Sequence, residues 1–214
     1  MPDRPLWYWD ATVARFRNQR GRFVAQETVL KALRASEDAA RTRARVLARQ
    51  VARKQIAPNE FCESMRQLIK EEHIRQALVG NGGLRNMDPA AWGRIGGNIG
   101  NQYKYLDNFT TDLVTKDLTE AQIAARAQMY ANSAKMEFHA AWHDANAMSD
   151  EMAAVRWVMT PAEHCEDCIA FADLGWQLIR EDPFSGAVPA DGVSTACGTN
   201  CRCHLEYGPR SRVE

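Results

Sequence analysis

Several things that would quickly place a chain of 214 residues are missing here. No stretch approaches the roughly 20 apolar residues that span a bilayer. The N-terminus, Met1-Pro2-Asp3-Arg4-Pro5, has neither the apolar core nor the cleavage site of a signal peptide, so a protein made and matured in a cytosol is expected. There is no Gly-Lys-Ser/Thr phosphate loop, no dinucleotide fingerprint and no Ser-His-Asp order, and no enzyme is expected. Net charge is also missing: 27 Lys/Arg balance 27 Asp/Glu, which is not the balance of a dedicated, strongly basic nucleic-acid binder. Cysteine is scarce until late in the chain, with only Cys62 before residue 165.

What is present is unevenly spread. Residues 1–56 hold 13 Lys/Arg and 5 Asp/Glu, leaving 14 and 22 for the rest. A basic arm on an acidic body is either partner-directed or a solvated helix face. Trp7, Tyr8 and Trp9 form an aromatic tip that docks on the protein's own core or anchors in a partner's pocket.

Helical periodicity follows. A long Ala-rich helix is predicted over residues 23–55, with Leu30, Leu33, Ala40, Ala44, Leu47 and Val51 on one stripe and Pro58 as its stop. A second helix is predicted over residues 59–78, in which Cys62 is a small buried hydrophobe; Gly80-Asn81-Gly82-Gly83 breaks it. Asp88-Pro89 opens a third, reaching about Phe109. Its glycines Gly93, Gly96, Gly97 and Gly100 suggest close helix packing or a kink. Thr119-Glu120-Ala121-Gln122 has capping-box form and opens a fourth helix reaching about Met148. Past residue 150 prolines and glycines multiply, and Val155–Met159 reads as a short strand. The expected architecture is mainly α: an aromatic arm (1–22), a helical domain of about four helices (23–149) and a small α+β Cys-rich module (150–214).

That module carries the strongest chemical signal. Cys165-Glu166-Asp167-Cys168 is followed by Cys197 and then Cys201-Arg202-Cys203-His204. A Cys-x-x-Cys turn places two thiolates on one edge of a tetrahedron, and a second cysteine group supplies the other edge. In a reducing compartment such clustering favours metal over disulfides. Soft thiolates in tetrahedral array suit Zn2+, which staples a segment too small to close a core alone. The metal candidates are Cys165, Cys168, Cys197, Cys201 and Cys203, with Cys165 and Cys168 one pair and two of the other three completing the set; His164 and His204 are further candidates. Disulfides or unpaired thiols are the competing reading. A deaminase is excluded because His164-Cys165-Glu166 overlaps the Cys-x-x-Cys instead of preceding a separate one. His139 and His143 have zincin spacing but Ala140 replaces the required glutamate, so they read as a polar helix face or a surface metal site.

Two stretches also carry a family resemblance. Arg126-Ala127-Gln128-Met129-Tyr130-Ala131-Asn132-Ser133-Ala134 is similar to the Arg-Ala-x-x-Tyr-Ala-x-Ser helix of tailed-phage minor head proteins. Trp157, Cys165-Glu166-Asp167-Cys168 and Cys197-Gly198-Thr199-Asn200-Cys201-Arg202-Cys203 resemble their C-terminal signature. The match to this Mu F-like head morphogenesis family covers residues 119–207. A weaker likeness to the helical part of related phage proteins runs from Phe61 to Gly83, and residues 1–56 match nothing. Where many relatives have Pro-x-His-Pro before Asn-Cys-Arg-Cys, this chain has Cys197 and one extra residue, so the fourth ligand stays open. The resemblance implies a minor capsid protein in the virion, assembled in the host cytoplasm. Its partners would be the portal and/or the major capsid protein, with multiple copies around the portal and non-specific contact with packaged DNA. It would act in head assembly, and in DNA packaging or ejection. The alternative is a zinc-containing DNA-binding protein that uses the basic N-terminal helix.

Overall fold

The structure, a computed structural model, describes residues 7–10, 13, 15–147 and 154–213. The expected boundary near residue 150 lies outside these residues, as do the prolines at 2 and 5. Among the described residues the chain is mainly helical, with two small antiparallel sheets. The first sheet is a meander of β1 (Trp7–Asp10), β2 (Arg15–Asn18) and β3 (Phe23–Val24). The aromatic tip is therefore a strand. Trp9 pairs with Phe16, its N–H donates to Gly82 O at 3.0 Å, and its ring is buried in the protein's own core.

Helix α1 (Gln26–Ala52) starts later than expected because Phe23 and Val24 complete the meander. It buries Val29, Leu33, Ala40, Ala44, Ala48 and Val51. The small residues of this stripe let α4 and α2 lie close along it. Its positive charge is largely answered within the fold: Arg43 pairs with Glu71, and Arg49 and Arg53 both face Glu120. Pro58 does not stop α1. The chain turns at Lys54, whose φ is 56°, and Pro58 opens α2 (Pro58–Gly80). Proline's missing N–H is no loss in a first turn.

Helix α3 (Pro89–Thr115) is capped by Asp88, whose carboxylate accepts from the Ala91 N–H at 2.7 Å, and it continues past Phe109. The Thr119–Gln122 box forms as expected: the Thr119 N–H donates to Gln122 Oε1 at 2.9 Å. The helix it opens is not continuous. It divides at Ala134 into α4 (Glu120–Ser133) and α5 (Lys135–Ala147). The Ser133 hydroxyl donates to Tyr130 O at 2.9 Å, a back-bond that bends helices, and lies beside the buried His73 of α2.

The C-terminal part comprises β4 (Ala154–Val158), α6 (Glu166–Asp173), β5 (Gln177–Leu178) and β6 (His204–Gly208), in the sheet order β5-β4-β6. The side chains form two apolar clusters. One joins α1, α2, α3 and α4 around Ala44, Phe61, Ile69, Leu106, Phe109 and Ala127. The other joins the meander, the start of α1, α5 and the C-terminal part. Its centre is aromatic: Trp142 stacks on Phe16 at 4.7 Å, leans on Trp9 at 4.8 Å and meets Tyr207 at 6.1 Å. Offset and edge contacts of this kind add to the burial of area.

One glycine expectation is reversed. A Cβ at Gly93, Gly96, Gly97 or Gly100 would meet nothing within 4 Å, so these positions face open space and permit no helix approach. The close approach is at Gly80, the last residue of α2, where a Cβ would stand 2.5 Å from Phe138 O and 2.8 Å from Ala141 Cβ of α5.

Candidate metal centre

The cysteine cluster lies where β4 leaves its sheet and β6 enters it. Val158 and His204 are partners in the β4–β6 ladder. Cys203 therefore stands just before β6, and the 159–165 connection returns alongside it. Cys165 is the N-cap of α6 and Cys168 lies in its first turn. A helix start exposes free N–H groups and the positive end of the dipole, both favourable to thiolate. The loop from Ala187 to Asn200 brings in Cys197: Asp167 accepts from the Ala196 N–H at 2.7 Å, and Asp191 accepts from the N–H groups of Val193 and Ser194.

All five late cysteines come together. The sulfurs of Cys165 and Cys197 are 3.5 Å apart, those of Cys168 and Cys197 3.5 Å, and those of Cys168 and Cys201 3.6 Å. They fall into two triplets that share Cys168, one with Cys165 and Cys197, the other with Cys201 and Cys203. Thiolates held about 2.3 Å from one zinc stand about 3.8 Å apart along a tetrahedral edge, so these spacings suit a metal. A covalent bridge would require about 2.05 Å, and all six cysteines are free thiols. Cys62 stays apart, buried on α2 with its sulfur 3.8 Å from Asp107 Oδ1 of α3.

The two histidine candidates separate. His164 Nε2 donates to Thr160 O at 2.6 Å, which fixes the tautomer and leaves Nδ1 with its lone pair 3.5 Å from Cys203 Sγ. That is how an imidazole is oriented beside a metal site. His204 lines a separate cavity with Lys135 and His139.

The thiols are electrostatically unequal. Burial opposes ionisation of Cys165, but the backbone N–H groups of Cys168 and Cys197 and the neighbouring thiols outweigh it and bring its pKa down to about 7. Burial, then the neighbouring Cys201, pushes Cys168 well up. Cys201 is pushed up by its hydrogen bond with the Cys203 thiol and then by burial. Inner thiols that resist ionisation beside an outer one that accepts it form a set that a divalent cation would reverse, since a coordinating thiol is deprotonated outright.

No family model matches this sequence, no curated protein matches it, and no solved structure matches its fold.

The supports of the cluster were hidden in the sequence. Lys135, at the start of α5, is half-buried and donates to Cys203 O at 2.5 Å and Cys201 O at 3.4 Å. The Asn132 side-chain amide donates to Asn200 Oδ1 at 3.1 Å, while its own Oδ1 accepts from Arg41 at 2.6 Å. An isolated lysine and asparagine carry no pattern that would have marked them.

A second constellation was missed as well. His73 Nδ1 is 2.9 Å from Glu137 Oε1 and Nε2 is 3.3 Å from Ser133 Oγ, the connectivity of nucleophile, base and orienting carboxylate. All three side chains are fully enclosed, and Asn98 also donates to Glu137 Oε1 at 2.9 Å. With no approach for a substrate, this is a polar tie between α2, α3 and the α4–α5 corner. His139 corrects the expectation of a polar helix face: it is 1% exposed, and neither ring nitrogen has a hydrogen-bond partner among the described residues. An unmet buried polar group of this kind costs about 1–3 kcal/mol.

Proposed function

We propose that the chain is a structural minor head protein of a tailed phage, stapled by one zinc ion and acting near the portal during head assembly. The observation that carries this reading is the meeting of its two resembling segments. Asn132 and Lys135, at the end of the Arg-Ala-x-x-Tyr-Ala-x-Ser stretch and just beyond it, hold the backbone and side chain of the Asn200-Cys201-Arg202-Cys203 segment. Two stretches that look like parts of one family signature thus belong to one structural unit around the cysteines.

In this reading Cys165, Cys168 and Cys197, whose sulfurs all lie within 4.8 Å of one another, supply three ligands, and Cys201, 3.6 Å from Cys168, would move in to complete the tetrahedron. Cys203, beside His164, is the reserve ligand. Four protein ligands leave no open position for water, so zinc supplies cross-linking rather than catalysis. The protein would sit against the portal or the major capsid protein in several copies. Contact with packaged DNA would be secondary, since the arginines at 43, 49 and 53 already face carboxylates.

Metal analysis of protein purified without chelator tests the staple. One zinc per chain, lost in Cys168→Ser and kept in Cys203→Ser, is expected; a metal-free, folded protein overturns it. Mass spectrometry of purified particles tests the placement. The protein should be found with the portal, and its absence from particles and from assembly intermediates alike would sink the head-protein reading.

A further inference from the structure

A cavity of about 270 Å³ lies between α1, α5 and the approach to β6. This is just below the range of about 300–1,000 Å³ that houses drug-sized ligands, so its occupant is small. Beside apolar side chains the cavity gathers the cations Arg34 and Arg41 from α1, Lys135 from α5 and Arg202 from the C-terminal part, together with the imidazoles of His139 and His204, which burial holds toward the neutral form.

Three features set it apart from an ordinary surface hollow. His139 is buried at its wall with both ring nitrogens unpartnered, although buried polar groups are nearly always hydrogen-bonded to protein, water or ligand. His204 Nδ1 is likewise buried and unpartnered. Arg34 and Arg202 are exposed at the mouth, and among the described residues no hydrogen bond or ion pair engages either guanidinium. Arg34, His139, Arg202 and His204 Nδ1 therefore bring polar nitrogens from three separate elements to one small volume, with no hydrogen-bond partner among the described residues.

Two carboxylates also line the space. Asp38 is 3.4 Å from Arg41, which offsets its charge. Glu37 is largely buried, 4.0 Å from Arg41, and burial raises its pKa against the pull of Lys135 and Arg41. A planar carboxylate presents two oxygens in one plane, whereas a phosphate group presents three terminal oxygens in a tetrahedron and can accept from all three elements.

We propose that this cavity binds a single phosphate group, carried either by free phosphate or a small phosphomonoester, or by the 5′-phosphate end of a nucleic-acid strand. The cavity uses none of the five thiols, although Lys135, Arg202 and His204 adjoin them.

The test is calorimetric titration of the full chain, as purified, in phosphate-free buffer at fixed ionic strength. Inorganic phosphate should bind saturably, and the double variant Arg34→Ala/Arg202→Ala, altered only at exposed side chains, should bind at least tenfold more weakly. A parallel arm compares a 5′-phosphorylated oligonucleotide with its 5′-hydroxyl twin. Tighter binding of the phosphorylated strand assigns the site to a strand end, and equal binding of the two, with saturable inorganic phosphate, assigns it to the free anion. The imidazole nitrogen resonances of His139 should move on phosphate addition. No saturable phosphate binding and no difference between strands overturns the proposal. So does binding undiminished in the double variant, or His139 resonances that stay fixed while phosphate binds.

Discussion

The two apolar clusters are built by different means. Around Phe61, Leu106 and Phe109, four helices each contribute a periodic face of Ala, Leu, Ile, Met and Phe. Around Trp142, the partners are single residues from distant places: Trp9, Phe16, Val29, Val79, Trp157, Phe184 and Tyr207, with Cys168, Cys201 and Cys203 among them. In the first cluster each helix brings several buried side chains for one set of backbone restraints. In the second, most contributors sit on short strands or loops that must be ordered one by one, at about 1–2 kcal/mol of entropy per residue. Loop-rich structure of that kind needs a cross-link, and the thiols lie where one would act.

If the thiols hold zinc as proposed, metal removal should break the comparison most sharply. Zinc held by a structural thiolate site supplies about 10–16 kcal/mol of apparent binding energy, comparable with or above the about 5–15 kcal/mol net stability of a domain. A strong chelator, or Cys168→Ser, is expected to abolish the near-ultraviolet circular dichroism of Trp142 and Trp157 while most far-ultraviolet helical signal persists. If both signals fall together, the two clusters form one cooperative unit and the contrast is only compositional.

Truncating one aromatic in each cluster comes next. Trp142→Ala and Phe109→Ala should each cost about 3–5 kcal/mol in urea unfolding. In chelator-treated protein, Trp142→Ala should add almost nothing, because its cluster is already lost, while Phe109→Ala keeps its full cost. Equal costs of both under chelation would remove the distinction.

This difference also explains what could be read from the sequence. The α1–α4 faces were legible because Leu33, Ala40, Ala44, Phe61, Met65, Leu106 and Phe109 repeat at helical spacing, and the Asp88 and Thr119 caps announce their helices. The cysteines were legible because Cys-x-x-Cys spacing is short-range. The meander was not: Trp9, Phe16 and Val24 lie on strands of two to four residues, too short to show alternation. The break at Ala134 was not, since the contact beside it joins Ser133 to His73, 60 residues away. The seats of Lys135 and Asn132 under the thiol loop are tertiary facts with no local signal.

Gly80→Ala probes the joint between the clusters, where α2 crosses α5. The added methyl would collide with Phe138 O at 2.5 Å, a backbone atom that cannot swing aside. A loss of about 1–3 kcal/mol is expected, as for other overpacked sites. A neutral result would mean that α2 and α5 slide past each other freely.

His139 gives a smaller, pH-dependent effect on the aromatic side. Burial, and then the charge of Lys135, holds its pKa well below the usual histidine value. A folded-state pKa below that of the unfolded chain means that the unfolded state binds the proton. The stability is thus fully present above about pH 6.5 and is lost as pH falls below it, at up to about 1.4 kcal/mol per pH unit. His139→Gln should flatten the difference in unfolding free energy between pH 6.5 and 5.5 by about 1 kcal/mol. His143 and His204, also held low by burial, remain in both proteins and cancel in that comparison. An unchanged slope would show that His139 is not held neutral by its site.

The smallest effect is a gain, and it tests whether the glycine face of α3 is as free as it looks. Gly93, Gly96, Gly97 and Gly100 sit within a continuous helix with nothing within 4 Å of where a Cβ would stand. Replacing an interior helical glycine with alanine removes backbone freedom from the unfolded chain and is worth about 0.5–1 kcal/mol. For a chain of this size that is a rise of about 2–4 °C in Tm per kcal/mol. Gly96→Ala and Gly97→Ala should each raise Tm, with the opposite sign to Gly80→Ala despite identical chemistry. The informative failure is specific: if the chain is the head protein proposed, a variant that is more stable in isolation yet is excluded from particles would mean that this face is bare only until a partner's backbone lies against it.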